Sequence, residues 1–340
     1  ITNSKYAVAC SSGTTALHLA LMAVNVSAGD FVLVSNLTFI ASVNTIKYMN
    51  ADPILIDANI NNWQMDLNFL ESFLKKFCMI KNKKCFHKET GRKVSAIMIA
   101  HILGYSCNLE RLRKIAKKYF LHIIEDAAEA IGAKYNQKFL GSYGAVGCFS
   151  FNGNKTITTG SGGMIITNSK KIANKARHLS QQAKVSGDKY IHSEIGFNYR
   201  MSNIQASIGL AQLKDLKFRL KRKKEIFERY KEELLKISGI SFPEEENNLK
   251  SSYWLTTIKL NKSLIKKSAN KIIQKLELKN IQARLLWEPM NLSKPHKKSV
   301  FYGLKNSLML YKCCISLPSS VGLNDIEQSK VIKELKKIIL

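Results

Sequence analysis

The chain has 340 residues, enough for two domains, and its 45% hydrophobic and 23% charged residues are typical of a globular protein. Its apolar runs are too short to cross a bilayer, so membrane and fibrous classes are excluded. The formal net charge is +28, but 44 of the 53 basic residues are lysines spread along the chain, so we attribute the charge to compositional drift and expect no nucleic-acid partner.

Short apolar strands alternate with helical patterns through the first two thirds of the chain. The predicted strands are 31–35, 53–57, 94–101 and 121–126, and the predicted helices are 14–25, 38–49, 66–77 and 108–119. The lysine-rich stretch 75–93 is predicted to be a surface excursion. The alternation predicts an α/β fold with a mainly parallel sheet between helices, and such sheets bind ligands at the carboxyl ends of their strands.

The last third of the chain has a different pattern. One long amphipathic helix is predicted over 203–237, and its lysine-rich side, 214–224, is predicted to be solvated. A segment over 252–260, a helix over 263–276, a segment over 281–286 and a final helix over 324–339 suggest a smaller α+β unit. We therefore predict a large domain over 1–237 and a small C-terminal domain over 238–340.

The most informative stretch is 148–163, where an apolar strand runs into a turn that displays Lys155 and then into a bend rich in glycine and threonine. Partial desolvation in such a turn makes a lysine amine a usable nucleophile toward an aldehyde. Taken alone, the pattern also describes a surface lysine beside a flexible turn.

Three further features lie at the predicted ligand-binding edge. Asp126 ends an apolar strand, where it either caps the next helix or pairs with a buried cation. Gly13 and Thr14 stand at a helix start that suits a phosphate, or that is only an N-cap. Phe39 follows the second strand and either packs in the core or lies against a planar ring.

Together, a lysine, an acid, a helix N-terminus and an aromatic ring meet the requirements of pyridoxal 5′-phosphate (PLP). From about Tyr6 to Val321, the sequence strongly resembles the DegT/StrS-type nucleotide-sugar aminotransferases, which are PLP enzymes of fold type I. The resemblance rests on five segments in the family's order: SSGTTALHLAL, TFIASVNTI, IEDAAEAIGA, FSFNGNKTITTG and GFNYRMSNIQASIGLAQL.

The resemblance implies two catalytic residues. Lys155 matches the lysine that bonds the cofactor and moves the proton, and Asp126 matches the acid that keeps the pyridine nitrogen protonated. The resemblance also implies that the cofactor's phosphate is held by Gly13, Thr14 and Ser150, and that its ring stacks on Phe39. Glu129 matches a group near the 3′-oxygen, and Asn198 matches a residue that reaches the neighbouring subunit's phosphate. The resemblance therefore implies a homodimer with shared active sites.

The sequence departs from the family's pattern in three places. Glu129 stands where glutamine is frequent, which changes the local charge. Ser161 stands where many members have glutamate, so substrate contacts at that position are not carried over. The family also has a leader helix before the position of Tyr6, and we expect that the sequence, which begins at Ile1, is truncated there.

The expected reaction is transfer of an amino group from L-glutamate to a 4-keto-6-deoxy nucleotide sugar. The FNGNK segment, the 75–93 excursion and residues 317–320 resemble the subgroup that acts on a UDP-linked N-acetylhexosamine. The alternatives are a PLP-dependent sugar dehydratase, an aminotransferase of an inositol-type ketone and, more distantly, a basic nucleic-acid-binding protein. Deoxygenating members replace the lysine with histidine, so Lys155 favours amine transfer.

The seven cysteines are odd in number and include no C-x-x-C pair. Cys78, Cys85 and His87 lie near one another, but their spacing matches no zinc pattern, so no metal site is predicted. Reduced, mostly buried thiols indicate a cytoplasmic protein.

Overall fold

A ten-stranded, mainly parallel sheet lies at the centre of the protein, whose computed structural model describes residues 1–185, 189–303 and 305–340. In these ranges the strands are β1 Tyr6–Cys10, β2 Phe31–Ser35, β3 Asp52–Ile56, β4 Cys78–Lys81, β5 Lys84–His87, β6 Lys93–Ala100, β7 His122–Asp126, β8 Lys134–Tyr135, β9 Lys138–Phe139, β10 Val146–Ser150, β11 Gly163–Thr167, β12 Ile240–Ser241, β13 Leu249–Lys250, β14 Thr257–Leu260, β15 Arg284–Leu285, β16 Val300–Tyr302 and β17 Cys314–Ser316. The helices are α1 Gly13–Ala23, α2 Ala41–Tyr48, α3 Leu67–Phe77, α4 Leu109–Lys118, α5 Lys170–Ser180, α6 Asn203–Lys214, α7 Leu216–Leu234, α8 Ala269–Glu277, α9 Lys305–Cys313 and α10 Asp325–Ile339.

The central sheet has the strand order β1-β11-β10-β7-β6-β2-β3-β16, and β5 pairs with the beginning of β6. From β10 to β16 every neighbouring pair is parallel, whereas β11 is antiparallel to both of its neighbours. The predicted strands coincide with β2, β3, β6 and β7 to within one residue at each end. The predicted α/β fold is therefore confirmed.

Alternate residues of the parallel strands enter two different cores. In β2, Phe31 and Leu33 pack with α3 and α4, while Val32 and Val34 pack with α1, α2 and α5. This follows from the period-2 geometry of a strand, which turns successive side chains to opposite faces. Helices therefore cover both faces, as the continuous apolar runs predict.

A third core lies in the C-terminal part of the chain. Strands β12, β14, β17 and β15 form a four-stranded sheet, against which α8, α10 and the second half of α7 pack. Contacts cross the predicted domain limits in both directions: this core begins at Ile226, and β16 joins the central sheet beside β3. The limits 1–237 and 238–340 stay a prediction.

The single long helix predicted over 203–237 is wrong, because the chain forms two helices that meet at Asp215. The break falls at Asp215, which ends α6 and begins α7. Helix α6 buries none of its side chains in this chain, whereas α7 buries its apolar side. The surface excursion predicted over 75–93 contains the β4–β5 hairpin.

The helices in the described ranges include none with the length and apolar character needed to cross a bilayer.

Asp57 joins the C-terminal part of the chain to the end of β3. Its carboxylate is buried and accepts the backbone N–H groups of Asn306 at 3.0 Å and Ser307 at 2.9 Å, at the start of α9. The side-chain hydroxyl of Ser307 donates to the same carboxylate. We expect Asp57→Ala to lower the free energy of unfolding by about 1–3 kcal/mol, because it leaves these donors without an acceptor.

Urea denaturation of the two proteins measures this loss. Asp215→Ala is the matched control, since its exposed carboxylate makes no capping hydrogen bond. Equal midpoints for the Asp57 and Asp215 variants would contradict the anchoring role of Asp57.

Candidate active site

A cavity of about 1140 Å³ opens at the carboxyl edge of the central sheet, between the strand ends, the start of α1 and residues of the C-terminal part. Seven of the eight predicted site residues line it: Gly13, Thr14, Phe39, Asp126, Glu129, Ser150 and Lys155. The eighth, Asn198, is exposed on the segment between α5 and α6 and is not part of this wall.

The start of α1 forms a phosphate-sized recess. Ser12 caps the helix, with its hydroxyl 3.1 Å from the N–H of Thr15, and the first-turn amides of Gly13 and Thr14 have no acceptor within the helix. A Cβ on Gly13 would lie 2.7 Å from the Cβ of Ser150, so glycine is needed for the helix to approach the end of β10. Free N–H groups and the positive end of the helix dipole favour an anion here.

Asp126 is held rigidly at the end of β7. The hydroxyl of Ser42 donates to its Oδ2 at 2.6 Å, and the N–H of Ala128 donates to its Oδ1 at 3.1 Å. The side chain is largely buried yet reaches the cavity. Such a carboxylate suits a cationic partner in the cavity, since a buried charge needs one.

Lys155 lies in the turn that follows β10, opposite Glu129. Its Nζ is 3.3 Å from Glu129 Oε1, and the N–H of Leu103 donates to the other carboxylate oxygen at 2.7 Å. Burial raises the pKa of Glu129, while the Lys155 ammonium and the Leu103 N–H act against that rise. The wall thus holds an amine and a carboxylate that can exchange a proton.

Phe39 and Ser161 also line the cavity. Phe39 is 54% exposed even though it is a large aromatic side chain, and it faces the cavity, so the core interpretation is wrong. The hydroxyl of Ser161 donates to the backbone oxygen of Ser11 at 2.8 Å, which links the glycine-rich bend to the start of α1.

The sequence reasoning missed a buried histidine next to Asp126. His101 Nε2 lies 2.9 Å from Glu125 Oε2, and both side chains are almost completely buried. Glu125 also accepts three backbone N–H groups at 2.6–2.8 Å, those of Gly141, Tyr143 and Gly144. His101 directly follows β6, so the rule that ligands bind at strand ends would have found it.

The opposite wall comes from the C-terminal part of the chain and was also missed. The ring centroid of Trp254 lies 3.9 Å from Lys155 Nζ, and its Nε1 donates to the backbone oxygen of Asn154 at 2.9 Å. Lys223 Nζ donates to the backbone oxygens of Trp254 and Ser319 at 2.7 and 2.8 Å. Burial lowers the pKa of Lys223 to about 8, so the predicted solvated face over 214–224 is wrong at this residue.

These residues fit PLP. The start of α1 and Ser150 would hold its phosphate, Phe39 would cover one face of its ring, Asp126 would meet its pyridine nitrogen, and Lys155 would bond its aldehyde carbon. In the described part of the chain, no group of three histidine, cysteine or acidic side chains is arranged to hold a metal ion.

We expect Lys155→Met to destabilise the cofactor-free protein by about 3 kcal/mol near pH 7.5, because it leaves the Glu129 carboxylate buried without its cation. Without Lys155 the pKa of Glu129 rises further. When the pKa of a carboxyl is higher in the folded than in the unfolded protein, the protein loses stability as the pH rises through that folded pKa. The loss should therefore be smaller at pH 5 than at pH 7.5, as measured by urea denaturation.

The double variant Lys155→Met/Glu129→Gln is the control for this prediction. It carries no buried carboxylate at this point, so the difference between the two pH values should disappear. If Lys155→Met lowers the free energy of unfolding equally at both pH values, the pairing of Lys155 with Glu129 is contradicted.

Comparisons with known proteins agree with this geometry. A model of the DegT/DnrJ/EryC1/StrS aminotransferase family matches residues 1–336. EpsN of Bacillus subtilis (strain 168) is 38% identical over 97% of this chain and 83% of its own, and GDP-perosamine synthase of Caulobacter vibrioides is 34% identical over 99% and 86%. The crystal structure of a DegT DnrJ EryC1 StrS aminotransferase from Brucella abortus is 26% identical and superimposes with a TM-score of 0.90 over 99% of this chain and 87% of that one. The chain therefore belongs to the DegT/DnrJ/EryC1/StrS aminotransferase family and is a PLP-dependent sugar aminotransferase, as its sequence predicts.

Proposed function

We propose that the enzyme transfers the amino group of L-glutamate to the 4-keto carbon of a 6-deoxy nucleotide sugar, a UDP-linked N-acetylhexosamine, for the synthesis of surface glycans or nonulosonate-type sugars. The observation that carries the proposal is the placement of Lys155 and Asp126 in the wall of one cavity. An amine and a buried acid in the same wall are the two groups that a PLP transaminase needs on its cofactor.

PLP supplies an electron-withdrawing ring that stabilises negative charge on carbon. Lys155 Nζ takes the α-proton of glutamate and later returns a proton to the sugar carbon. Glu129, 3.3 Å from that amine, accepts and returns the amine's own proton. Asp126 holds the ring nitrogen protonated, and the hydrogen bond from Ser42 keeps the carboxylate in place.

Two features support a nucleotide sugar as the amine acceptor. The cavity is larger than the cofactor needs, and its wall includes residues 317–320, one of the segments that resemble the UDP-sugar subgroup. The named relatives point to a second nucleotide, because one of them is a GDP-perosamine synthase. The UDP-linked and the GDP-linked acceptor are both keto sugars on a diphosphate. The unpaired, buried cysteines suit a reaction in the cytoplasm.

A homodimer is part of the proposal. Helix α6 buries none of its side chains in this chain, and it exposes large apolar residues, among them Ile204 (77% exposed) and Leu210 (66% exposed). Apolar surface of this kind marks an interaction face. Asn198 lies just before this helix, so a second copy seated here would bring its active site close to Asn198.

The direct test of the activity is the absorption spectrum of the purified enzyme with PLP. We expect a band from the cofactor bound to Lys155 that bleaches when L-glutamate is added. Lys155→Ala should lower turnover by about 10³-fold or more, since it removes both the bond to the cofactor and the proton carrier. Lys262→Ala, an exposed lysine, is the control; full activity of the Lys155 variant would refute the assignment.

The substrate is tested with a panel of keto compounds and L-glutamate as the donor, with product mass as the readout. We expect the UDP-linked 4-keto-6-deoxy-N-acetylhexosamine to react with the highest kcat/KM. A higher value for the GDP-linked sugar would overturn the choice of nucleotide. Conversion of an inositol-type ketone alone, or loss of oxygen without gain of nitrogen, would overturn the choice of reaction.

The dimer is tested by sedimentation of Leu210→Glu, which places a charge on the exposed face of α6. We expect this variant to sediment as a monomer. Leu278→Glu is the matched control, because Leu278 is 82% exposed and lies at the end of α8. A Leu210→Glu protein that sediments like the control would contradict this interface.

A further inference from the structure

Lys223 is a buried cation in the wall of the active-site cavity. Its side chain is 6% exposed, and the ammonium donates to two backbone oxygens, those of Trp254 and Ser319. Among the residues that the structure describes, no carboxylate lies within ion-pair distance of it. An ammonium has three N–H groups and a full charge, so two neutral acceptors leave one donor and the charge without a partner.

The wall of the same cavity carries two more basic side chains. Arg284 on β15 and Lys330 on α10 line it, and neither forms an ion pair within the described ranges. One acid, Glu327, also lies in this wall, but its carboxylate accepts the N–H of Asn324 at 3.2 Å in the cap of α10. The net charge of this end is therefore positive.

We infer that this end of the cavity is an oxyanion subsite, centred on Lys223, which binds a phosphate or carboxylate group of the substrate. The inference rests on the proposed function, since it assigns a place to the charged end of that substrate. Arg284 and Lys330 stand at the cavity surface, where they attract the anion, and Lys223 lies at its buried end.

Trp254 lies between Lys223 and the reacting amine of Lys155. Lys155 contacts the ring of Trp254, whereas Lys223 contacts its backbone oxygen, so one tryptophan residue separates the two amines. A hexose has similar dimensions and carries its diphosphate at the carbon opposite C4. With C4 at Lys155, we therefore assign the diphosphate to Lys223. The carboxylate of the amino donor is the other source of the same chemistry.

The test measures binding of two probes to the PLP-loaded enzyme by calorimetry: inorganic pyrophosphate for the nucleotide's diphosphate, and 2-oxoglutarate for the donor's carboxylates. We expect Lys223→Met to weaken the binding of pyrophosphate by about tenfold or more, because it removes the buried cation. The matched control is Lys224→Met, the next residue on the same helix, which is exposed and pairs with Glu228. It should change affinity by less than about twofold.

Loss of affinity for pyrophosphate identifies the diphosphate as the occupant, and loss of affinity for 2-oxoglutarate alone identifies the donor carboxylate. If Lys223→Met binds both probes as tightly as the control does, the subsite does not exist. Should Lys223→Met fail to fold, the exposed pair Arg284→Gln/Lys330→Gln is compared with Lys333→Gln in the same assay, and equal affinities overturn the inference. Bleaching of the cofactor band by glutamate tests the proposed function separately, so the two failures are distinguishable.

Discussion

The parallel register of β6, β7 and β10 is the constraint on which the active site depends. It sets Ala100 beside Asp126 and Asp126 beside Cys148, so β6 and β7 end at the same level and β10 continues for two more residues. Because all three run in one direction, the residues at their carboxyl ends meet at one edge of the sheet. A shift of a single residue in β7 would turn Asp126 to the opposite face and into a core.

The same edge explains which residues could be predicted from the sequence. Asp126 ends an apolar strand, Lys155 lies in the turn that follows another, and Gly13 opens a helix. Local pattern and a general rule about parallel sheets are therefore enough to place them together. The resemblance to the family adds the chemical roles of these three residues, but not their positions. The start of α1 reaches Ser150 only because Gly13 lacks a side chain, a contact that the SSGTT sequence signals without specifying.

The opposite wall could not be predicted in this way. Trp254 and Lys223 come from segments that no strand end or glycine turn marks. Trp254 is placed by packing in the core that contains α3 and α4, and Lys223 by its hydrogen bonds to Trp254 and Ser319. Lys223 is also hidden in a run of basic residues, Lys221 to Lys224, in which the two other lysines are exposed. Periodicity does carry a signal, because position 223 lies seven residues after Leu216 and four before Phe227, on the buried side of α7. The basic run hides that signal, since a lysine in such a run is expected to be solvated.

The charged side chains of the cavity also differ between the strand ends and the opposite wall. Near the strand ends, the Lys155 ammonium pairs with Glu129 and contacts the ring of Trp254, and the Asp126 carboxylate lies in the same wall. At the far end, the cations outnumber the acids. A substrate with a keto group at one end and a diphosphate at the other matches this asymmetry.

The measurement that tests the central claim most directly is chemical trapping of the cofactor on its lysine. The PLP-loaded enzyme is reduced with borohydride, digested and mapped by mass spectrometry. The account predicts a phosphopyridoxyl group on the peptide that contains Lys155 and on no other lysine to a comparable extent. A label on another of the 44 lysines, or no label on a protein that retains its activity, would contradict it.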